Sequence, residues 1–215
     1  LARRRAEARL RSLCTERRAL VLTYDDGPGP DLTPLVLDAL AAHSARATFF
    51  VLGERALEAP HLLDRMAAEG HEIGSHSLRH LNAWTTVPFR AARDADASYA
   101  ALSRWVAPTA VFRPPFGKLT ADLWWGARRR GRPLGWWTHV SGDTYDPLPS
   151  VDPVCDRVRR DGGGVVLLHD FDRDRAEAAE RTRFVLDATT RLLDIARRDG
   201  LHVRTLSDLL SEPAA

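Results

Sequence analysis

Ala19-Leu20-Val21-Leu22-Thr23-Tyr24-Asp25-Asp26-Gly27-Pro28 (ALVLTYDDGP) is the stretch on which the fold turns. Ala19–Tyr24 is a short continuous apolar run, the signature of a strand buried on both faces in a parallel sheet. It ends on two carboxylates, and a buried carboxylate without partners is costly. Taken alone, Asp25-Asp26-Gly27-Pro28 also reads as a turn, since Asp, Gly and Pro are turn residues. On an extended backbone two adjacent side chains diverge, so the two acids are suited to different tasks.

Outward from this stretch, apolar runs alternate with amphipathic ones. Strands are expected at Ala47–Leu52, His71–Ser75, Val111–Arg113, Leu134–Val140, Gly164–Leu168 and Leu201–Arg204. Helices are expected at Leu32–His43, Ala56–Glu69, Phe89–Trp105, Thr120–Arg130, Asp152–Arg160 and Glu177–Arg198, with a last turn at Ser207–Leu210. Such alternation implies βαβ units and a parallel sheet. About seven repeats point to a closed or nearly closed α/β barrel rather than an open sheet. The open doubly wound alternative lacks its GxGxxG fingerprint.

Composition narrows the function. The chain has 215 residues, with 31 Lys+Arg against 29 Asp+Glu, a net +2 that gives no footprint for nucleic acid. No apolar run approaches the ~18 residues a membrane span needs, and 44% hydrophobic residues are enough for a core. Lys118 is the only lysine, which reads as GC-rich coding. Residues 1–18 carry seven arginines against Glu7 and Glu16, a local +5 that leaves −3 elsewhere. This segment is expected to be a basic helix or linker ahead of a catalytic domain over 19–215. No signal peptide is visible in it. Cys14 and Cys155 can pair only if the fold brings them together.

Every acid, base and imidazole of interest falls at the C-terminal end of an expected strand: Asp25, Asp26, His76, His80, Arg113, Asp143 and His169. That rim is where barrel enzymes assemble their sites. His76-x-x-x-His80 places two imidazoles about one helical turn apart, able to share one ion. One of the two acids can complete a two-His-one-carboxylate set, while the other stays off the metal and accepts a proton from water. Zinc lowers the pKa of its water toward about 7. His169-Asp170 by itself also reads as a helix cap, with Asp170 at the N-cap.

Four ordered motifs, Thr23-Tyr24-Asp25-Asp26-Gly27-Pro28, His76-Ser77-Leu78-Arg79-His80, Arg113-Pro114-Pro115-Phe116 and Leu167-Leu168-His169-Asp170, resemble those of the polysaccharide deacetylases, the NodB-homology group of carbohydrate esterases. The resemblance runs from about Ala19 to Leu210. It implies a deformed (β/α) barrel and metal-dependent removal of acetyl groups from N-acetylglucosamine units of a glycan, peptidoglycan or a chitin-like oligosaccharide. By the same resemblance Asp26, His76 and His80 would hold one divalent ion, zinc foremost, with Co2+ or another divalent ion as substitutes. Asp25 would be the general base and His169 the general acid. Arg113 would orient Asp25, and Asp143 would tune His169. The Phe116 backbone N–H would stabilise the oxyanion, Leu167 would line the acetyl pocket, and Pro115 would be a further substrate contact.

Alternatives on the same fold are an O-acetyl (xylan) esterase, a small amide or imide hydrolase, and a non-catalytic glycan-binding module. The expected partner is carbohydrate, the expected state a monomer, and the expected location extracytoplasmic. Two departures stand out. A further family motif, lying between Phe116 and Leu167, usually carries two Asp and a Trp but keeps only Asp143 in Val140-Ser141-Gly142-Asp143-Thr144, and Phe116 stands where many members have Tyr. His139 is expected to be packed or hydrogen-bonded rather than a ligand. Trp84, in the loop after His80, is the best-placed tryptophan for a sugar contact. Of the pairs Trp124-Trp125 and Trp136-Trp137, one member each is expected in the core.

Overall fold

In a computed structural model, which describes residues 2–172 and 175–211, β1 (Ala19–Asp25) is the hub. It pairs in parallel with β5 (Gly164–His169) from Leu20 to Asp25, with β2 (Thr48–Val51) at its upper half and with β6 (His202–Val203) at its foot. Beyond β2 lies β3 (Glu72–Ser75), and beyond β5 lies β4 (His139–Val140). Closure runs through single bridges: Phe112 pairs with Ser75 of β3 and with Leu134. From Leu134 the chain crosses to β4 beside β5, completing a deformed barrel. Six strands are thus present among the described residues, where about seven were expected. Val111–Arg113 supplies one bridging residue rather than a strand, and Leu134–Val140 is strand-like only at its two ends. Arg113 shows why: its guanidinium takes the carbonyls of Gly135 and Trp136 that a regular ladder would use.

The helices are α1 (Ala2–Glu16), α2 (Leu32–Ala42), α3 (Gly53–Glu58), α4 (Pro60–Ala68), α5 (Arg90–Ala101), α6 (Ala121–Arg129), α7 (Asp152–Asp161), α8 (Arg175–Asp199) and α9 (Leu206–Ser211). One expected helix, Ala56–Glu69, is two. The break falls at Ala59, because Pro60 bars the residue before it from helical geometry and itself starts α4. The expected closing turn is the helix α9. The last four residues of the domain drawn to 215 lie outside the described residues.

Strand alternation divides the core. Leu20, Leu22, Tyr24, Phe49, Val51, Val166 and Leu168 face outward onto Val36, Leu37 and Leu40 of α2 and Leu192 of α8. Val21, Phe50, Val111, Trp136 and Val165 fill the barrel, with Leu10, Leu13 and Cys14 of α1 and Leu206 and Leu209 of α9 packed among them. Each such buried aliphatic side chain contributes roughly 1.5–3 kcal/mol, so α1 belongs to the packed body. Its arginines serve the same end, since Arg11 donates to the Thr138 carbonyl at 2.6 Å and Arg17 to that of Leu209. Both Cys14 and Cys155 are buried free thiols.

Gly163, between α7 and β5, has φ +136°, and a Cβ there would lie 2.3 Å from the Ala19 carbonyl oxygen. Gly163→Ala therefore forces backbone of the hub strand to move. The expected cost is about 3 kcal/mol, or roughly 6–12 °C in Tm, read by thermal unfolding. An unchanged Tm would mean that this junction is not tightly packed.

Candidate active site

The alternation that buries Val21 also turns Thr23 and Asp25 inward at the top of β1, and β1–β5 register sets Asp25 opposite His169 and Thr23 opposite Leu167. Register partners on neighbouring strands stand about 4.8 Å apart and face the same way. Asp26 follows at φ 70°, Ser77 at 73°, His80 at 58° and Phe116 at 57°. Four non-glycine residues in this costly region cluster on one rim, each held there by its surroundings. Gly27 is required by close approach, because a Cβ there would sit 2.3 Å from the Asp170 carboxylate oxygens.

His76 and His80 reach one point, but not on a helix as their spacing suggested. They bracket a tight loop after β3, whose Leu78 and Arg79 amides donate to the Asp94 carboxylate of α5 at 3.1 and 3.0 Å. His76 Nδ1 lies 2.8 Å from the Arg113 carbonyl, and a carbonyl can only accept. Nδ1 therefore carries the proton and Nε2 presents a lone pair. That Nε2 is 3.3 Å from Asp26 Oδ1, and His80 Nε2 is 3.1 Å from the same oxygen. Burial, reinforced by the neighbouring imidazoles of His76 and His169, outweighs Asp26 and Asp25 and takes His80 down to about 4, so its imidazole is neutral near pH 7. Burial pushes the Asp26 pKa up, but the facing imidazoles of His76, His169 and His80 outweigh it and hold that carboxyl well below the usual range.

Asp26 Oδ1 is buried without a hydrogen-bond partner. A buried orphan carboxylate oxygen facing imidazole nitrogens is the arrangement a cation resolves, and these three residues form the metal-competent group among the described residues. The donor set fits a divalent ion, as nitrogen from imidazole and oxygen from carboxylate suit zinc.

Arg113 is fully buried. Its Nη1 donates to Asp25 Oδ1 at 2.6 Å and to Thr23 Oγ1 at 2.8 Å, Nε to the Gly135 carbonyl at 3.2 Å and Nη2 to that of Trp136 at 3.3 Å. Its guanidinium also lies 3.9 Å over the Phe50 ring. The grip on Asp25 is therefore one bond rather than a paired fork, with the remaining donors fixed by the barrel wall. Leaving such a charge unpaired typically costs about 3–5 kcal/mol.

On the far side, His169 Nδ1 faces both oxygens of buried Asp143, at 3.1 and 3.2 Å, while the His169 backbone N–H donates to Asp143 Oδ2 at 2.7 Å. Ser141 Oγ and Arg181 steady Asp143 through its Oδ1 and its carbonyl. Burial alone would lower the His169 pKa; Asp143, by charge and hydrogen bond, overrides it, Asp25 and Asp26 add to the effect, and the group rises to about 9.

Leu167 and Pro115 are buried, whereas Phe116 is exposed, its ring 4.4 Å from that of His80. Trp84 is exposed as well. Trp136 lies in the core, but Trp124 and Trp125 are both exposed, because they sit on α6, where neighbours do not alternate across a sheet. His139 is buried between Thr138 and Asp161, as a packed residue. Asp170 is no N-cap of α8. It is a fully buried carboxyl that accepts from Thr33 Oγ1 at 2.7 Å, and burial, with Asp25 and Asp26 nearby, pushes it up to about 7.

The family model described as polysaccharide deacetylase matches residues 12–134. The chain is 31% identical over 195 residues to a peptidoglycan-N-acetylglucosamine deacetylase of Bacillus cereus, covering 90% of this chain and 88% of the relative. It is 33% identical over 203 residues to a chitooligosaccharide deacetylase of Bradyrhizobium, covering 89% and 90%. Among solved structures, a family 4 carbohydrate esterase from Streptomyces lividans in complex with acetate superposes with a TM-score of 0.76 at 26% identity, covering 92% and 96%.

Proposed function

The chain belongs to the polysaccharide deacetylase family, and from that premise we propose that it hydrolyses N-acetyl groups from N-acetylglucosamine units of a glycan, outside the cytoplasm. One observation carries the reading: Asp26, His76 and His80 converge on one point, and Asp25 and His169 face each other across the β1–β5 register beside it. A divalent ion bound by those three residues would supply Lewis acidity and a water acidic enough to be deprotonated near pH 7. Asp25 takes that proton, its oxygen aimed by the Arg113 guanidinium, whose other donors are occupied in the barrel wall. The Phe116 backbone N–H donates to the oxyanion, and Leu167 and Pro115 enclose the acetyl methyl. His169 then delivers its proton to the leaving nitrogen, an amine that cannot depart unprotonated; a matched acid and base contribute on the order of 10²–10⁴ in rate.

The His169–Asp143 pair favours an amide over an ester, since an alkoxide or alcohol leaves with far less need for an acid. Acetate release from N-acetylchitooligosaccharides, peptidoglycan and acetylated xylan tests the reading. Release from the first two and little from xylan supports it, while release from xylan alone would replace it with an O-acetyl esterase.

The pH profile follows from sign. His169 works protonated, so its contribution is present at neutral pH and disappears as pH rises through its raised pKa of about 9. Asp143→Asn removes the main raising charge. The alkaline limb of kcat is expected to move down by about one pH unit or more. An unmoved limb would mean that His169 is not the group titrating there.

A further inference from the structure

Lys118 is the only lysine of the chain, and it stands on this rim. Its Nζ lies 5.3 Å from the Trp84 ring and 5.5 Å from the Phe116 ring. Both rings are mainly exposed, at 66% and 54%, and Phe116 in turn touches His80. Among the described residues no carboxylate pairs with Lys118. Nearby cations differ: Arg113, Arg79 and Arg3, the last beside Gly117, all have acidic partners. An ammonium flanked by aromatic faces is attracted to the rings and partly stripped of water, but its charge is left uncompensated. Two exposed rings and one free cation, leading away from the metal ligands, describe a place for a ring with apolar C–H faces that carries an anion.

We propose that Trp84, Phe116 and Lys118 form a subsite for a sugar bearing a carboxylate, adjacent to the sugar that loses its acetyl group. This inference rests on the deacetylase reading above and deepens it. It selects, among N-acetylated glycans, those with a free acidic substituent on the neighbouring sugar, such as the lactyl carboxylate of peptide-free peptidoglycan strands, over neutral chitin-type oligomers. A partly desolvated ammonium gives such a carboxylate a charge-assisted bond, whereas a neutral oligomer leaves it unpaired.

The test compares kcat/KM for two substrates of equal length: a neutral N-acetylchitooligosaccharide and a peptide-free peptidoglycan strand with its lactyl carboxylates free. The wild type is expected to favour the anionic strand. Lys118→Gln should shrink that ratio about tenfold, Lys118→Glu further, and Lys118→Arg should restore it. Raising salt from 20 to 500 mM should erode the wild-type preference, because screening weakens the pair. Calorimetric binding of the corresponding deacetylated strands, with and without carboxylates, reads the same ratio without turnover. A wild type that prefers the neutral oligomer, or a ratio that Lys118→Gln leaves unchanged in both assays, overturns the subsite. Failure of acetate release from both substrates defeats the deacetylase reading instead, and the binding ratio then still decides whether Lys118 recognises the anion.

Discussion

Asp25→Asn is expected to lower kcat for acetate release by about 10³-fold, within the 10²–10⁴ range of general base catalysis, and to leave metal content intact. The substitution is nearly isosteric. Its side-chain oxygen can still accept the 2.6 Å bond from Arg113 Nη1, so the buried guanidinium keeps its partners and the fold its stability. What the amide cannot do is take up a proton from water. The proposed separation of tasks rests on distances: Asp26 Oδ1 is 3.3 Å from His76 Nε2 and 3.1 Å from His80 Nε2, whereas Asp25 Oδ2 is 3.7 Å from His76 and its other oxygen is engaged by Arg113. Elemental analysis beside turnover checks both halves. Parent-like turnover would place the base elsewhere, and loss of metal would make Asp25 a ligand.

This division was only half legible in the sequence. The apolar run before Asp25-Asp26 announced a buried strand, and burial demanded partners for two carboxylates, so the location of the site followed from β1 alone. Which acid does what depends on backbone conformation. Asp25 ends β1 in extended geometry, and Asp26 swings to φ 70°, a turn that a run of residue types does not specify. The same limit hid Asp94, which stands 16 and 15 residues beyond the Leu78 and Arg79 amides it accepts from, on a helix with no motif of its own. A closed barrel was expected from the repeats, but the contacts that close it were illegible for a related reason. Single bridges at Phe112 and Leu134 leave no periodic signal, and the carbonyls that would have extended them go to the Arg113 guanidinium. Trp124 and Trp125 are both exposed because neighbours on a surface helix do not alternate between a buried and an open face, so adjacency does not say that one of them is core.

His80→Ala should abolish metal retention and, with it, at least about 10³-fold of the activity. Of the two imidazoles, His80 is the cleaner probe. His76 is almost fully buried, and its Nδ1–H satisfies the Arg113 carbonyl, so removing it leaves an orphan acceptor and a cavity in the barrel mouth. His80 is only partly buried, its ring against exposed Phe116, so its loss damages little beyond the ligand set. Removing an outer hydrogen-bond partner of a ligand typically weakens metal binding 10–100-fold, and losing one of three protein ligands must exceed that. The readout need not be catalytic. An ion that binds only the folded state stabilises it by RT ln(1 + [L]/Kd), about 2.7 kcal/mol at a hundredfold excess over Kd. Zinc should therefore raise the Tm of the parent by roughly 5–11 °C and leave that of His80→Ala almost unmoved. Equal zinc shifts in both proteins would show that the ion binds somewhere other than Asp26, His76 and His80.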